Sequence, residues 1–141
     1  MLEKYFDGEI WLDVKRYNSS IRYYINGLHH RLDGPAIIRY NENGNIELEK
    51  YYLNDKKYRL DGPAVLCHYK NGNIKKEIYY INGELHREYG PVVIWYYENG
   101  NIKEKLYYIN DKKHRLDGPA VLCHYKNGNI QTEMHFSYSI L

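Results

Sequence analysis

Two cysteines in 141 residues leave no room for a disulfide framework, and two phenylalanines with two tryptophans leave little for an oily core. No apolar run approaches the roughly 18 residues of a membrane span, and Met1 to Ile10 carries acidic residues in place of a signal peptide's apolar centre. The chain therefore reads as cytosolic. Charge of one sign is also missing. Lys and Arg total 20 against 18 Asp and Glu, the signs are interspersed, and the pI near 8.4 lies below that of a dedicated nucleic-acid domain. Helix signals are nearly absent, because every stretch is punctuated by Gly, Pro or Asn-Gly before an apolar 3.6-residue pattern can build. Catalytic signatures are missing too: there is no Gly-x-Ser-x-Gly, no phosphate-binding loop and no Cys-x-x-Cys or His-Glu-x-x-His spacing.

What the chain has is tyrosine, 18 in all, and a repeat. Tyr23-Tyr24-Ile25-Asn26-Gly27 returns at Tyr51, Tyr79 and Tyr107, each time after 28 residues and with no insertion. Residues 23–134 thus divide into four units, 23–50, 51–78, 79–106 and 107–134, leaving 1–22 as N-terminal capping strands and 135–141 as a C-terminal capping strand. Trp11 is the offset equivalent of Trp95, and His135-Phe136 stands where a fifth Tyr-Tyr would begin.

Within the second unit, Ala64 to Tyr69 is rich in strand formers, Lys70-Asn71-Gly72-Asn73 signals a hairpin, and Ile74 to Ile81 returns. A two-residue Asn-Gly turn sets Tyr69 opposite Ile74, Cys67 opposite Lys76 and Val65 opposite Ile78. Asn82-Gly83 makes a second tight turn that sets Tyr80 opposite Leu85, with Asn54-Asp55 and Asn110-Asp111 as weaker versions. Pro35, Pro63, Pro91 and Pro119 cannot donate to a ladder and so open a strand. The expectation is an all-β fold, an elongated single-layer antiparallel β-meander of four 28-residue repeats, twisted or rolled into a rod or trough. Cys67 and Cys123 would lie two repeats apart, too far for a disulfide.

At Tyr-Tyr-x-Asn-Gly, His-Arg-x-Asp-Gly-Pro-Ala and Asn-Gly-Asn-Ile the chain resembles MORN repeats in their longer, MORN-like bacterial and viral variant. The resemblance implies a single-layer β-meander that works in protein interaction or membrane-adjacent scaffolding, with no enzymatic activity from the repeat. It also implies kinship with antitoxin-like and phage-borne arrays.

Arg31, Arg59, Arg87 and Arg115 recur at the repeat step, and Asp33, Asp61 and Asp117 follow two residues later. These carboxylates favour an internal ladder over a cationic rail for phosphates. The histidines fall in separate units and fit no metal, so no cofactor and no enzyme activity are expected. The third unit departs from its neighbours, reading Arg87-Glu88-Tyr89 and then Trp95-Tyr96-Tyr97, and Tyr89, Trp95, Tyr96, Tyr97 and Arg87 are the candidate partner-binding residues. The functional expectation is a stand-alone proteinaceous inhibitor, antitoxin-like or phage-encoded anti-defence such as an anti-CRISPR, which occupies another protein such as a nuclease or toxin. The alternatives are an RNA- or DNA-binding protein using the Arg and Tyr rows, and a self-assembling scaffold or homo-oligomer joined through edge strands.

Overall fold

The computed structural model describes residues 2–136, and among them it holds eighteen strands and no helix. The chain opens with β1 (Glu3–Phe6), β2 (Trp11–Arg16), β3 (Ser20–Ile25) and β4 (Leu28–His29). Next come β5 (Ile37–Tyr40), β6 (Ile46–Lys50), β7 (Tyr52–Leu53) and β8 (Lys56–Lys57). The pattern then repeats as β9 (Val65–His68), β10 (Ile74–Ile78), β11 (Tyr80–Ile81) and β12 (Glu84–Leu85). It repeats again as β13 (Val93–Tyr96), β14 (Ile102–Leu106), β15 (Tyr108–Ile109) and β16 (Lys112–Lys113), before β17 (Val121–His124) and β18 (Ile130–Met134) close the array.

The long strands form one open antiparallel sheet in the order β1-β2-β3-β5-β6-β9-β10-β13-β14-β17-β18, with β4 paired to β3. It is a meander that does not close into a barrel. Each later unit adds two long strands to the sheet and then a short hairpin (β7–β8, β11–β12, β15–β16) that forms a separate two-stranded sheet. The short hairpins bond onward to one another, since the Asp55 N–H donates to the His29 carbonyl and the Gly83 N–H to the Lys57 carbonyl, both at 2.9 Å.

Turn chemistry explains the two kinds of hairpin. At Asn26-Gly27, Asn54-Asp55, Asn82-Gly83 and Asn110-Asp111 both residues have positive φ, the type I′ geometry that matches strand twist. Tyr80 faces Leu85 as the sequence requires. The turn at Lys70-Asn71-Gly72 is different. Only Gly72 has positive φ (89°), the Gly72 N–H donates to the Tyr69 carbonyl, and the Tyr69 N–H donates to the Asn73 carbonyl. This is a longer turn with a bulge at glycine, so Ile74 pairs with His68 and not with Tyr69, while Cys67–Lys76 and Val65–Ile78 keep the expected register. The cause is local: the Asn71 Oδ1 accepts the Asn73 N–H at 2.9 Å, holding Asn71 out of the left-handed conformation. The same side chains tie repeats together, because Asn71 and Asn73 both donate to the Glu98 carbonyl, and Asn99 and Asn101 to that of Lys126.

A single layer buries little. Ala36, Ala64, Val92 and Ala120, each placed just after the repeat's proline, are fully covered, followed by Val65, Val93 and Val121. Leu12 and Val92 are the largest side chains wholly excluded from water, and Leu12, Val14 and Tyr23 make a small N-terminal cluster. A buried Val or Leu contributes about 1.5–3 kcal/mol, so such a row supplies only part of what ordering each repeat requires. Hydrogen bonds and ring contacts must supply the rest.

The two-residue period of a strand assigns every side chain to one of two faces. Tyr23, Tyr51, Tyr79 and Tyr107 lie on one, the clamp face, together with Arg31, Arg59, Arg87 and Arg115. Arg39, Leu48, Cys67, Lys76 and Trp95, joined in one cross-strand row, lie on the other, the lysine face. No helix of the described residues is long and apolar enough to cross a membrane.

Candidate binding faces

Each repeat closes on its own arginine. The guanidinium carbon of Arg31 sits 4.3 Å from the ring centroid of Tyr23, and those of Arg59, Arg87 and Arg115 sit 4.1, 4.0 and 4.0 Å from Tyr51, Tyr79 and Tyr107. A terminal nitrogen of Arg31, Arg59 and Arg87 donates to the carbonyl of Pro35, Pro63 and Pro91 at 3.4, 3.2 and 3.1 Å. The glycine of each Asp-Gly-Pro lies under the guanidinium: a Cβ on Gly62 would stand 2.8 Å from the Arg59 Cζ. The Nε atoms of Arg31, Arg59 and Arg115 donate to Asp33, Asp61 and Asp117 at 2.7, 3.1 and 3.1 Å. The motif is thus a clamp in which a ring, a carbonyl and a carboxylate hold one planar cation over a side-chain-free backbone. Burial opposes the charge on Arg31, yet Asp33 and the neighbouring tyrosines hold its pKa above the ordinary value.

The N-terminal strands lock into the first clamp. Tyr5 donates its hydroxyl to Asp33 and accepts from Arg31, while Asp7 accepts the Leu32 N–H at 3.0 Å. Asp7 is buried, which by itself would raise its pKa, but the amides of Ile10, Glu9 and Leu32 bring it below the usual carboxylate value.

The third unit breaks the clamp pattern. Tyr89 stands where its neighbours have aspartate, so Arg87 keeps its ring and carbonyl but, among the described residues, pairs with no carboxylate. Tyr89 turns outward and is 82% exposed.

The structure distributes the five partner-binding candidates. Arg87 and Tyr89 line the same two clefts on the clamp face. Tyr96 shares that face, donating its hydroxyl to Glu77 at 3.2 Å, and burial with that carboxylate pushes its pKa up to about 12. Trp95, one residue earlier, lies on the lysine face under the Lys76 ammonium, 4.2 Å from its ring centroid. Tyr97 is committed internally, its hydroxyl donating to the His124 carbonyl at 2.7 Å just as Tyr69 donates to the Tyr96 carbonyl at 2.6 Å. Only Arg87, Tyr89 and Tyr96 share one face.

Three open clefts of about 450, 500 and 610 Å³ repeat along the clamp face, each between one arginine clamp and the next. Their rims carry Leu60, Tyr89 and Leu116, which are 77, 82 and 86% exposed. These side chains follow the clamp arginine by one or two residues. Of the three only Tyr89 is among the sequence candidates; the signal that could have found the others is the leucine that recurs after the half-buried clamp arginine, at Leu32, Leu60 and Leu116, without joining the core.

Cys67 and Cys123 are free thiols, and burial pushes both above the ordinary cysteine value, which is opposite to an activated thiolate. They stand four strand steps apart in the sheet order, roughly 19 Å. His30 is buried and its Nδ1 accepts the Asn54 N–H at 3.1 Å, while the His29 Nδ1 meets Asp55 at 3.0 Å. Among the described residues no three His, Cys, Asp or Glu side chains gather as metal ligands.

Fold and clamps together define an open β-repeat array. The family model for the MORN repeat variant matches residues 65–82 and 92–110, so two adjacent units of the array are similar to MORN-like repeats. No curated protein and no solved structure matches it.

Proposed function

We propose that the chain is a non-catalytic module that binds another protein and acts by occupying its surface, as a proteinaceous inhibitor of the antitoxin-like or anti-defence kind does. The observation that carries this reading is the row of exposed Leu60, Tyr89 and Leu116 on the rims of successive clefts. Apolar and aromatic side chains presented by a rigid backbone are the usual anchors of protein interfaces. Repeat proteins present such rows as extended binding surfaces. The arginine row, by contrast, is spent on the clamps and is poorly placed to track a phosphate backbone.

Affinity capture from the native host tests the reading. The wild-type chain retains a specific protein, and the Leu60→Asp, Leu116→Asp double variant loses it while melting at an unchanged temperature. A chain that retains only nucleic acid, with binding that falls steeply with salt, would replace this reading with the nucleic-acid alternative. A second reading, assembly of copies through sheet edges, is favoured by the exposure of every residue of β18. Light scattering that shows mass growing with concentration supports it.

A further inference from the structure

The two faces of the sheet treat their cations differently. On the clamp face three of the four arginines have a carboxylate. On the lysine face Arg22 and Lys50 occupy one cross-strand row through Ile37, with Lys76 two strands beyond Lys50 and Lys57 on the adjoining hairpin. Among the described residues none of these four cations forms an ion pair. Acids on this face are largely engaged elsewhere: Asp13 with Lys4, Glu47 with Arg39 and Asp55 with His29. Glu104 lies past Trp95.

What these cations do have is rings. Arg22 sits 5.2 Å from the centroid of Tyr17, Lys57 4.8 Å from Tyr80 and Lys76 4.2 Å from Trp95. A ring face attracts a cation without neutralising it. Lys50 is half-buried, and both burial and the charges of Lys57, Arg39 and Arg22 press its pKa downward. The Arg22 Nε is inaccessible to solvent and without a hydrogen-bond partner. A small cleft of about 230 Å³ opens beside this patch, lined by Lys75, Lys76, Trp95, Cys67, His68 and the Arg39–Glu47 ion pair, so that Lys75 and Lys76 carry its net charge. The sheet thus holds uncompensated positive charge around a hole that fits a side chain.

We infer that the lysine face is a docking surface for an acidic segment of a partner protein, with Lys50 and Lys76 receiving its carboxylates. The inference rests on the protein-binding reading above and adds a second face and a charge to it. Acidic peptide is favoured over nucleic acid because Lys57 and Lys76 already occupy a face of the Tyr80 and Trp95 rings, where a base would otherwise stack. Arg22 and Lys50 stand two strands apart in one row, roughly 10 Å, a spacing that every third residue of a polyproline II segment spans on one side at about 3.1 Å per residue.

Isothermal titration with deca-glutamate tests it, using a ten-nucleotide oligouridylate as the competing chemistry. The wild-type chain binds deca-glutamate more tightly than oligouridylate, and Lys50→Gln, Lys76→Gln weakens that binding at least about tenfold. Lys76→Gln alone, at a half-buried position, weakens it in the same direction, and an unchanged melting temperature guards against misfolding. No heat with deca-glutamate, equal binding by the lysine variants or tighter binding of oligouridylate overturns the inference. If host capture still yields a protein lost by the leucine variant, the protein-binding reading survives that failure.

Discussion

The clamp face and the lysine face share one backbone, yet their cations do opposite work. Arg59 is held between the Tyr51 ring, the Pro63 carbonyl and Asp61. Lys76 rests on Trp95 and, among the described residues, forms no ion pair. One face spends its charge on folding and the other leaves it available. The difference teaches that a basic residue which recurs with its own ring and glycine in every unit is first a structural part.

The largest effect that can break this comparison comes from removing a clamp. Arg59→Ala strips a ring contact and two hydrogen bonds, and about 2 kcal/mol of stability goes with them in urea denaturation. Arg87→Ala costs nearly as much although Arg87 has no carboxylate, because ring and carbonyl carry most of the clamp. A loss confined to the arginines with aspartate partners would assign the energy to ion pairs instead.

Lys50→Met works in the other direction. Removing a half-buried ammonium among like charges raises stability by about 1 kcal/mol near neutral pH. Lys50 has a folded pKa below its ordinary 10.5, so the folded state releases its proton first and wild-type stability climbs with pH between the folded value and 10.5. The advantage of the methionine variant therefore shrinks across that window. A gap that widens with pH contradicts the assignment.

Gly62→Ala sharpens the packing side of the comparison. Its Cβ meets the Arg59 Cζ at 2.8 Å, so the guanidinium must leave its ring, at a cost of about 1 kcal/mol. Combined with Arg59→Ala the same substitution is nearly neutral, which a double-mutant cycle reads directly. Asp61→Asn has the smallest effect, under about 0.5 kcal/mol, because the Asp61 side chain is 87% exposed and the pair is screened by water. A larger loss that disappears in high salt would show the carboxylate matters more than its exposure suggests.

Much of the fold is legible in the sequence because the repeat is strict. The step from Tyr23 to Tyr51, Tyr79 and Tyr107 fixes the number of units, and Asn82-Gly83 fixes the Tyr80–Leu85 register. The Asn71-Gly72 turn is less legible, because the identical dipeptide folds differently when the Asn71 side chain captures the Asn73 amide. The candidate site suffered more. Grouping Trp95 with Tyr96 and Tyr97 by adjacency overlooked that neighbours on a strand face opposite ways, and Tyr97 is claimed by the next repeat's backbone. The patch formed by Arg22 and Lys50 in one row and Lys76 in the next could have been read from strand register, but only once the pairing of β3, β5, β6, β9 and β10 was known. Residues 137–141, most of the expected C-terminal capping strand, lie outside the described residues.

The division of labour between the faces is tested most directly by denaturing two triple variants side by side, Arg31→Gln, Arg59→Gln, Arg115→Gln and Lys50→Gln, Lys57→Gln, Lys76→Gln. The arginine set should lose most of the fold's stability, while the lysine set melts at or above the wild-type temperature. Equal losses from the two sets, or the reverse order, would contradict it.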